Sequence, residues 1–455
     1  MNKLSNHLIT NNMKKLYIIM LLVITGIMAQ AQTSVWDGSR KLWTRGEGTE
    51  NDPFLIESAE HLAFLNYMVN KGYETQDLYF LLTADIDLNG SEDLPWIPIG
   101  LGDRYFSEDG CERIPDNTYY VDNKFKGHFE GAGHKIYNLY IDGGNVSGLF
   151  GYVDSGCEIK NVKIESGYIR DAQYGGGVVG YSSIDAVISN CSNSIDISGI
   201  QVGGIVGYGG KVINCSNSGG IKGTNAAGGI VGSAPNEIHN CCNTGDITSY
   251  GSGGGIMGSS QRIVTIMNCY NTGTVSGNAQ NIGGICGFGM KGIMKNCYNV
   301  GDVANSQKPA GGIIGSDYNG TADNLYYLNT CGGEGLGEPM ADAEMRDPAF
   351  VGTLNNDTDV WGYDDGNVNN GYPILIPIGF CTDETMDNMM SVYPNPAKGR
   401  FTVEGTGQLT VMNVLGQKIM ERTIEERNTV TLHEGIYLLR LTNGNASTTR
   451  KVVVY

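Results

Sequence analysis

The stretch GGIVGYGGKVINCSN at residues 203–217 contains two motifs that recur through the middle of the chain. The first, Gly-x-x-Gly, recurs with its closing glycines 29, 27, 25, 26, 29 and 28 residues apart. These glycines are Gly151, Gly180, Gly207, Gly232, Gly258, Gly287 and Gly315. The second motif, Asn-Cys-x-Asn, recurs around Cys191, Cys215, Cys241, Cys269 and Cys297. Two motifs that stay in phase over this many copies indicate a repeat protein with a unit of about 27 residues.

Each unit contains short β-prone runs separated by Gly, Asn and Ser, without helical periodicity. Such a unit cannot bury its apolar side alone, whereas stacked units pair in parallel and share one core. The pattern therefore predicts an all-β fold centred on a right-handed parallel β-helix, a β-solenoid. Gly and Asn are expected at left-handed corners and at close approaches of coils, with hydrogen bonds between stacked Asn side chains. A β-propeller is disfavoured because a blade needs about 40 residues.

The composition agrees with a large stacked scaffold. Of the 455 residues 67 are Gly, and 34 of these lie within residues 171–320. A hydrophobic content of 40% excludes a wholly disordered chain, and 12 Pro without a Gly at every third position exclude collagen. The net charge of −18 argues against a nucleic-acid partner, because phosphate binding requires a basic surface.

The N-terminus has the pattern of a secretory signal peptide. Lys14 and Lys15 precede an apolar run, and Ala29 and Ala31 supply the small residues of a cleavage site after Ala31. The run of about 12 residues is too short for a transmembrane helix, which needs about 20. No later segment is apolar enough either, so we expect an exported protein without a transmembrane segment. Met13 is an alternative start to Met1.

The repeats resemble a known family. Gly-Gly-Ile-Val-Gly followed by Asn-Cys-Tyr-Asn-Thr-Gly-x-Val is similar to the GLUG repeat of bacterial surface proteins, over roughly residues 145–330. Motifs on both sides, such as Trp96-Ile97-Pro98-Ile99-Gly100 and Gly371-Tyr372-Pro373, fit the same group. We expect an N-terminal cap region at 32–140, repeats at 141–330 and an acidic closing segment with a linker at 331–385. The best helix candidate is Ala59–Asn70, which could cap the open end of the solenoid.

A separate module is expected at residues 391–455. The charge changes from 12 acidic and one basic residue at 331–390 to five acidic and eight basic residues at 391–455. Six alternating β runs after a Pro-rich turn suggest a small antiparallel β-sandwich. The module resembles the type A sorting domain of type IX secretion through Tyr393, Pro394, Asn395, Pro396, Gly416, Gly435, Tyr437 and Lys451. The resemblance implies the type IX secretion machinery as a partner, a Bacteroidota-type Gram-negative bacterium, removal of the module and attachment to surface lipopolysaccharide.

The repeat cysteines have two interpretations. Neighbours one coil apart meet the Cα spacing of a disulfide, but identical rotamers would point the sulfurs in parallel. Buried Cys is also a good small core residue, so we expect an unbonded ladder, with some disulfide bridges as the alternative.

The sequence gives little evidence for a catalytic site. None of the six His begins the His-Glu-x-x-His motif of the metalloproteases that carry GLUG repeats. His128 and His134 lie six residues apart on a Gly-rich turn, which indicates solvated side chains rather than metal ligands. Asp196, Asp246 and Asp302 share one repeat position, but Gly220 and Thr274 interrupt the column and we expect no Arg or Lys beside it. Outward-facing Asp residues at a turn explain this pattern better than a polysaccharide-cleaving pair.

Two candidate binding features remain. Tyr152, Tyr181, Tyr208 and Phe288 follow the first motif at one position and form an aromatic column that could stack sugar rings, contact a partner, or stack on itself. Asp85 and Asp87 are weak Ca²⁺ candidates, because their spacing departs from a Ca²⁺ loop.

The sequence therefore predicts a secreted cell-surface β-helix that acts as an adhesin or binding scaffold for glycans or proteins, without enzymatic activity and without a cofactor. A β-helix polysaccharide lyase or glycoside hydrolase is the alternative, and a structural surface-layer component is the third interpretation.

Overall fold

The computed structural model describes residues 34–106, 119–278, 281–306, 310–364, 368–376, 390–393, 398–413, 418–443 and 446–454. Within these ranges the chain forms a parallel β-solenoid of about nine turns, with roughly 28 residues in each turn. The all-β fold and the parallel solenoid predicted from the repeat are confirmed. The signal-peptide residues Ala29 and Ala31 lie outside the described residues.

The larger sheet of the solenoid, which we call the long sheet, contains 23 described parallel strands, because one coil contributes up to three strands to it. Its strands are Ser34–Val35, Phe54–Ile56, Tyr79–Leu82, Ile86–Asp87, His128–Glu130, Lys135–Tyr137, Phe150–Val153, Glu158–Lys160, Lys163–Ile164, Val179–Ser189, Ser192–Asn193, Val206–Ile213, Ser216–Asn217, Val231–Ser233, Glu237–His239, Cys242–Asn243, Met257–Ser259, Ile263–Met267, Tyr270–Asn271, Cys286–Asn299, Ile314–Tyr318, Thr321–Leu328 and Glu338–Met340.

The smaller sheet of the solenoid, which we call the short sheet, contains 12 described parallel strands. Its strands are Leu139–Asp142, Val146–Ser147, Gly167–Gly176, Asp196–Gly203, Ile221–Gly228, Ile247–Ser249, Ser252–Gly254, Val275–Gly277, Asn281–Gly283, Val303–Asn305, Ala310–Gly311 and Gly333–Glu334. Ile197 pairs with Ile221, which pairs with Ile247, so equivalent repeat residues stack in columns. These columns form one continuous core between the sheets.

The first Asn of each Asn-Cys-x-Asn motif makes a corner of the coil. Asn190, Asn214 and Asn240 have φ values of 54° to 55°, in the left-handed region that Asn tolerates. The side-chain amide of Asn214 donates to Asn190 Oδ1 over 3.0 Å, and the pattern continues coil by coil to Asn324. The predicted hydrogen bonds between stacked asparagines are confirmed.

The second Asn of the motif forms another ladder, inside the solenoid. Asn217 Nδ2 donates to Asn243 Oδ1 over 2.8 Å and also to the carbonyl of Gly219. The first glycine of the other motif packs against this ladder: a Cβ on Gly204 would lie 2.4 Å from Asn217 Cγ and 2.2 Å from the carbonyl oxygen of Gly229. The two repeated motifs therefore interlock, and this glycine is required by close approach rather than by its φ angle.

The described residues contain three helices. Helix α1, Ala59–Asn70, has the bounds predicted from the sequence and buries Leu62, Leu65 and Val69 in the solenoid core. Helices α2, Asp342–Met345, and α3, Pro348–Leu354, lie in the closing segment and are not predicted by the repeat. A hairpin of Gly102–Phe106 and Tyr119–Asn123 extends from the N-terminal coils.

The closing segment folds back along the side of the last coils. We call residues 341–364 and 368–376, which include α2, α3 and the hairpin of Trp361–Gly362 and Ile374–Leu375, the strap. Its Trp361 ring lies 5.5 Å from the ring of Tyr298, and its Phe350 ring lies 5.0 Å from the ring of Tyr326. Cys242, which is disulfide-bonded, belongs to the same apolar cluster.

The C-terminal module consists of two antiparallel sheets. The first contains Ser391–Tyr393, Arg400–Glu404 and Arg427–Thr431, and the second contains Gly407–Asn413, Lys418–Ile424, Gly435–Asn443 and Ala446–Val454. Phe401 and Val403 from the first sheet and Leu409 and Leu439 from the second share one core. The predicted small β-sandwich is confirmed, with an additional strand before the Pro-rich turn.

Candidate functional site

The predicted aromatic column begins as three stacked tyrosines, which we call the tyrosine ladder. The strand register places Tyr152 beside Tyr181 and Tyr181 beside Tyr208. Their ring centroids are 4.7 Å and 4.8 Å apart, with interplanar angles of 22° and 12°. The three side chains are half-buried, and burial raises the pKa of Tyr181. Because the rings cover one another, the ladder presents ring edges and phenol groups to its surroundings.

The fourth predicted member of the column is separated from the others. Ser233 and Ser259 occupy the next two coils, so Phe288 does not stack on the tyrosines. The structure adds Tyr174, which meets Tyr181 and Tyr208 edge-on at 5.5 Å and 5.4 Å. Sequence reasoning missed Tyr174 because it comes from the short sheet, outside the motif.

Cations lie at both ends of the tyrosine ladder. Lys124 Nζ is 5.3 Å from the ring centroid of Tyr152, and the guanidinium carbon of Arg262 is 5.8 Å from that of Tyr208. Both distances are within the range of a cation–π interaction. The ladder is thus an ordered aromatic surface whose outer ring faces are occupied by Lys124 and Arg262.

A groove of about 370 Å³ crosses four coils of the short sheet. We call it the charged groove. Its lining residues are Tyr168, Ile169, Arg170, Asp196, Ile197, Ser198, Gly220, Ile221, Lys222, Asp246 and Thr248. Gly220 occupies the coil between Asp196 and Asp246 and carries no side chain, so a depression opens between the two carboxylates.

The carboxylates of the charged groove also cap backbone amides. Asp196 Oδ1 accepts the N–H of Gly220 over 2.8 Å, and Asp246 Oδ1 accepts the N–H of Thr274 over 3.0 Å. Both aspartates are exposed, as expected for residues at a turn. Two coil steps correspond to a main-chain separation of about 9.6 Å, at the upper end of the range for an inverting glycosidase pair.

The expectation that no basic residue accompanies these aspartates is wrong. Arg170 and Lys222 both line the charged groove, because stacking brings the residue two positions after the Asp site into the same depression. Arg170 donates to Asp142 over 2.7 Å, to Glu92 over 3.3 Å and to the hydroxyl of Tyr140 over 3.0 Å. Its pKa is raised chiefly by the hydrogen bond to Asp142.

One end of the groove is aromatic, with Tyr168 in its lining and the guanidinium carbon of Arg170 5.5 Å from the centroid of that ring. The rings of Tyr168 and Tyr140 meet edge-on at 4.5 Å. The hydrogen bond with Tyr168 raises the pKa of Tyr140 to about 12. Tyr250 is 49% exposed, and Lys222 Nζ lies 5.9 Å from its ring centroid. Tyr168 therefore lines one end of the groove, whereas Tyr250 contacts Lys222 from outside the lining residues.

The weak Ca²⁺ candidates are engaged by protein donors. Asp85 Oδ1 lies 3.0 Å from His134 Nδ1 and accepts the N–H of Lys135, while Asp87 Oδ1 accepts from Asn89 and Asn138. Across the described ranges, no group of three His, Cys, Asp or Glu side chains is arranged to hold a metal ion. The other predicted turn residue, His128, stacks on the ring of Tyr79 at 4.4 Å.

The repeat cysteines are buried and unbonded in the structure. Cys191, Cys215, Cys241, Cys269 and Cys297 are free thiols with no exposed surface. Each thiol donates to the carbonyl two residues earlier, over 3.2 Å for Cys241 and 3.3 Å for Cys215. This arrangement confirms the interpretation as an unbonded core ladder.

The sorting-motif residues lie partly outside the described ranges. Pro394, Asn395, Pro396 and Gly416 are not among the described residues. Tyr393 ends the first strand of the module, Gly435 and Tyr437 lie in the strand Gly435–Asn443, and Lys451 lies in Ala446–Val454. The Tyr437 hydroxyl donates to the carbonyl of His433 over 3.1 Å.

A family model described as a secretion system C-terminal sorting domain matches residues 391–455. These residues are a type IX sorting domain. The domain directs the chain to secretion and to the cell surface. None of the helices in the described part of the chain is long and apolar enough to cross a membrane.

Two curated proteins match part of the chain. A protein named as a Gly-rich membrane protein of Evansella cellulosilytica is 34% identical over 158 residues, covering 34% of this chain and 15% of its own length. Halomucin of Haloquadratum walsbyi is 32% identical over 166 residues, covering 36% of this chain and 2% of its own length. The chain thus spans less than a sixth of either relative.

One solved structure shares a distant likeness with the whole chain. It is a tailspike protein, gp49, of the Acinetobacter baumannii bacteriophage Fri1, described as a capsular polysaccharide depolymerase. The likeness covers 90% of this chain and 78% of that chain, at 10% identity and a TM-score of 0.23. A TM-score this low carries no argument about fold or function.

Proposed function

We propose that the part of this secreted surface protein that precedes the sorting domain, which we call the passenger, is an adhesin or binding scaffold for glycans or proteins. The observation that carries the proposal is the charged groove, an open depression lined by the ring of Tyr168, hydroxyl groups and side chains of both signs. Its volume of about 370 Å³ is within the usual range of ligand sites. The tyrosine ladder is proposed as an auxiliary contact surface along the same coils.

The same proposal includes the repeat family, the export route, the source and the domain limits. The repeats are GLUG repeats, residues 1–31 are a signal peptide cut after Ala31, and the source is a Bacteroidota-type bacterium. The sorting domain is removed after translocation, and the passenger is attached to surface lipopolysaccharide. The domain limits 32–140, 141–330, 331–385 and 391–455 are those of the sequence prediction.

The proposal is tested by a binding screen of the purified full chain against glycans and extracellular matrix proteins. We expect a ligand whose binding is weakened at least tenfold by Gly220→Thr. This change fills the groove with a residue that the equivalent position 274 already carries. Asp302→Asn is the matched control, because Asp302 shares the column but does not line the groove. Absence of any ligand, or a ligand insensitive to Gly220→Thr, contradicts the proposal.

The tyrosine ladder is tested separately. Tyr181→Ala and Tyr208→Ala remove two of the stacked rings, and we expect each to weaken binding of the ligand found in the screen. Phe288→Ala is the control within the same predicted column, since Phe288 lies beyond two serines. Unchanged affinity in both tyrosine variants would limit the ladder to a structural role.

A polysaccharide-cleaving enzyme is the second candidate, and one observation favours it. Asp196 and Asp246 face a common depression that also contains Lys222. A cleaving enzyme would release reducing ends from a polysaccharide, and Asp196→Asn or Asp246→Asn would abolish the release while leaving binding in place. A reducing-sugar assay run beside the screen distinguishes the two functions.

A further inference from the structure

We infer that the charged groove takes an uncharged saccharide chain that lies across the coils. This inference rests on the proposed function and specifies the ligand class of the same site. The groove follows two neighbouring columns of the short sheet over four coils, a length of about 14 Å at the spacing of parallel strands. An extended chain ligand matches this shape better than a compact one.

The donors and acceptors in the groove match the hydroxyl groups of a sugar. A hydroxyl donates one hydrogen bond and accepts others, so it pairs with carboxylates and with cations alike. Asp196 and Asp246 supply acceptors on one column, and Lys222 supplies donors on the other. Ser198 and Thr248 add hydroxyl groups on the coils immediately before and after Lys222.

The balance of charge disfavours an acidic polysaccharide. Arg170 is already paired with Asp142 and Glu92, so its charge is offset within the protein. The two aspartates that face the depression then outnumber Lys222. A polymer with a carboxylate on each ring would place further negative charge beside them, which is repulsive even at a partly exposed site.

A protein partner also fits the groove poorly. The centre of a stable protein interface is depleted of charged residues and enriched in aromatic ones, with about 800 Å² buried on each side. Here the centre is charged, with Asp196, Lys222 and Asp246 around Gly220, and the one aromatic lining residue, Tyr168, lies at the end of the groove. A depression with a few charged and polar groups beside apolar and aromatic side chains suits a saccharide chain better than a protein surface.

The test is calorimetric titration of the full chain with cellohexaose, mannohexaose and xylohexaose, with hexagalacturonate as the acidic probe. We expect at least one neutral hexaose to bind at least tenfold more tightly than hexagalacturonate. Raising NaCl from 50 to 500 mM is expected to change that affinity less than about twofold, because the ligand is uncharged. Gly220→Thr is expected to weaken binding at least tenfold and Asp302→Asn to leave it unchanged.

The outcomes separate this inference from the proposed function. If hexagalacturonate or a matrix protein binds most tightly and Gly220→Thr abolishes that binding, the groove remains the binding site and the inferred ligand class is wrong. If a neutral hexaose binds but is insensitive to Gly220→Thr, the assignment to the groove is wrong. If neither the hexaoses nor any ligand of the screen binds, the inference and the proposed function both fail.

Discussion

The five repeat cysteines are core side chains whose thiols are withheld from solvent. Burial raises the pKa of Cys191 and Cys241 well above that of a free thiol, and it raises the pKa of Cys286 on the same coils to about 12. The thiolate is the reactive form of cysteine. At pH 8, a thiol with that pKa is ionised in only about one molecule in ten thousand.

We therefore predict that the eight free cysteines of the described ranges do not react with a thiol reagent in the native chain at pH 8 on a timescale of minutes. After unfolding without reductant, at least eight thiols should react, because eight described cysteines are free. Thr224→Cys introduces an exposed thiol on the short sheet and is the positive control. Fewer than eight thiols in the unfolded chain would show that disulfide bonds link the ladder.

The two asparagines of each motif have different structural roles, although the sequence presents them as a symmetrical pair. The first adopts the left-handed corner, and the second is buried and bonds along the core. The buried ladder begins at Asn193, because Ile164 occupies its place in the preceding coil. Accordingly, Asn193 Oδ1 has no hydrogen-bond donor among the described residues.

At the scale of a coil, the close packing of glycine against asparagine determines how tightly successive turns approach. A Cβ at Gly204 would collide with the backbone of the next coil and with the Asn217 side chain. At Gly220, the nearest atom to an added Cβ is Asp196 Oδ1 at 3.0 Å, on an exposed and flexible side chain. Both glycines lie in the repeat, but the absence of a side chain is required for coil packing only at Gly204 and not at Gly220.

We predict that Gly204→Ala lowers the free energy of unfolding by about 3 kcal/mol or more, since neither neighbour can move without shifting a coil. Gly220→Ala should change the free energy by no more than about 0.5 kcal/mol. Denaturant unfolding of the two variants and the parent chain measures the difference. Equal stabilities would contradict the interlocking of the two motifs.

The strap is an element that periodicity could not predict. Its residues lack the repeat, and its position depends on the column Cys242, Tyr270, Tyr298 and Tyr326, which becomes an apolar surface only after the coils stack. The strap covers this surface with Phe350 and Trp361. Lys295 forms an ion pair with Asp357 of the strap and another with Asp323. The sequence predicted a closing segment there but not its two short helices or its lateral path.

At the scale of the whole molecule, the solenoid and the sorting domain have separate cores. The buried residues of the terminal module form their own cluster, which contains Phe401, Leu439 and Val452 and no residue of the solenoid. Folding of the passenger should therefore not depend on the sorting domain. Export of the passenger should depend on it.

We predict that a chain ending at residue 385, which keeps every cysteine of the sequence, unfolds at the same temperature as the solenoid of the full chain but no longer reaches the cell surface. Circular dichroism melting and cell fractionation measure the two effects. Leu439→Asp, which places a charge in the core of the sorting domain, should reproduce the export defect without truncation. A large loss of solenoid stability in either variant would show that the two cores are coupled.

The repeat, the helix Ala59–Asn70 and the terminal sandwich could be predicted because each depends on local periodicity or on a contiguous motif. The charged groove could not. Its residues come from four coils: the sequence shows that Asp196, Gly220 and Asp246 share one repeat position, but Arg170, Lys222 and Thr248 lie outside the repeated motifs. Arg170 and Lys222 are inconspicuous in the sequence, since their proximity to Asp196 and Asp246 depends on the register of the stacked strands.

The sequence by itself determined that this protein is a parallel β-solenoid with a sorting domain, because a repeat of constant length can bury its apolar residues only by stacking. The tertiary structure alone decided which outward-facing side chains meet. Stacking places residues about 27 positions apart within 5 Å of each other. A single glycine in such a column opens a depression. The charged residues around it lie on neighbouring coils, and the repeat pattern alone does not distinguish these coils from one another.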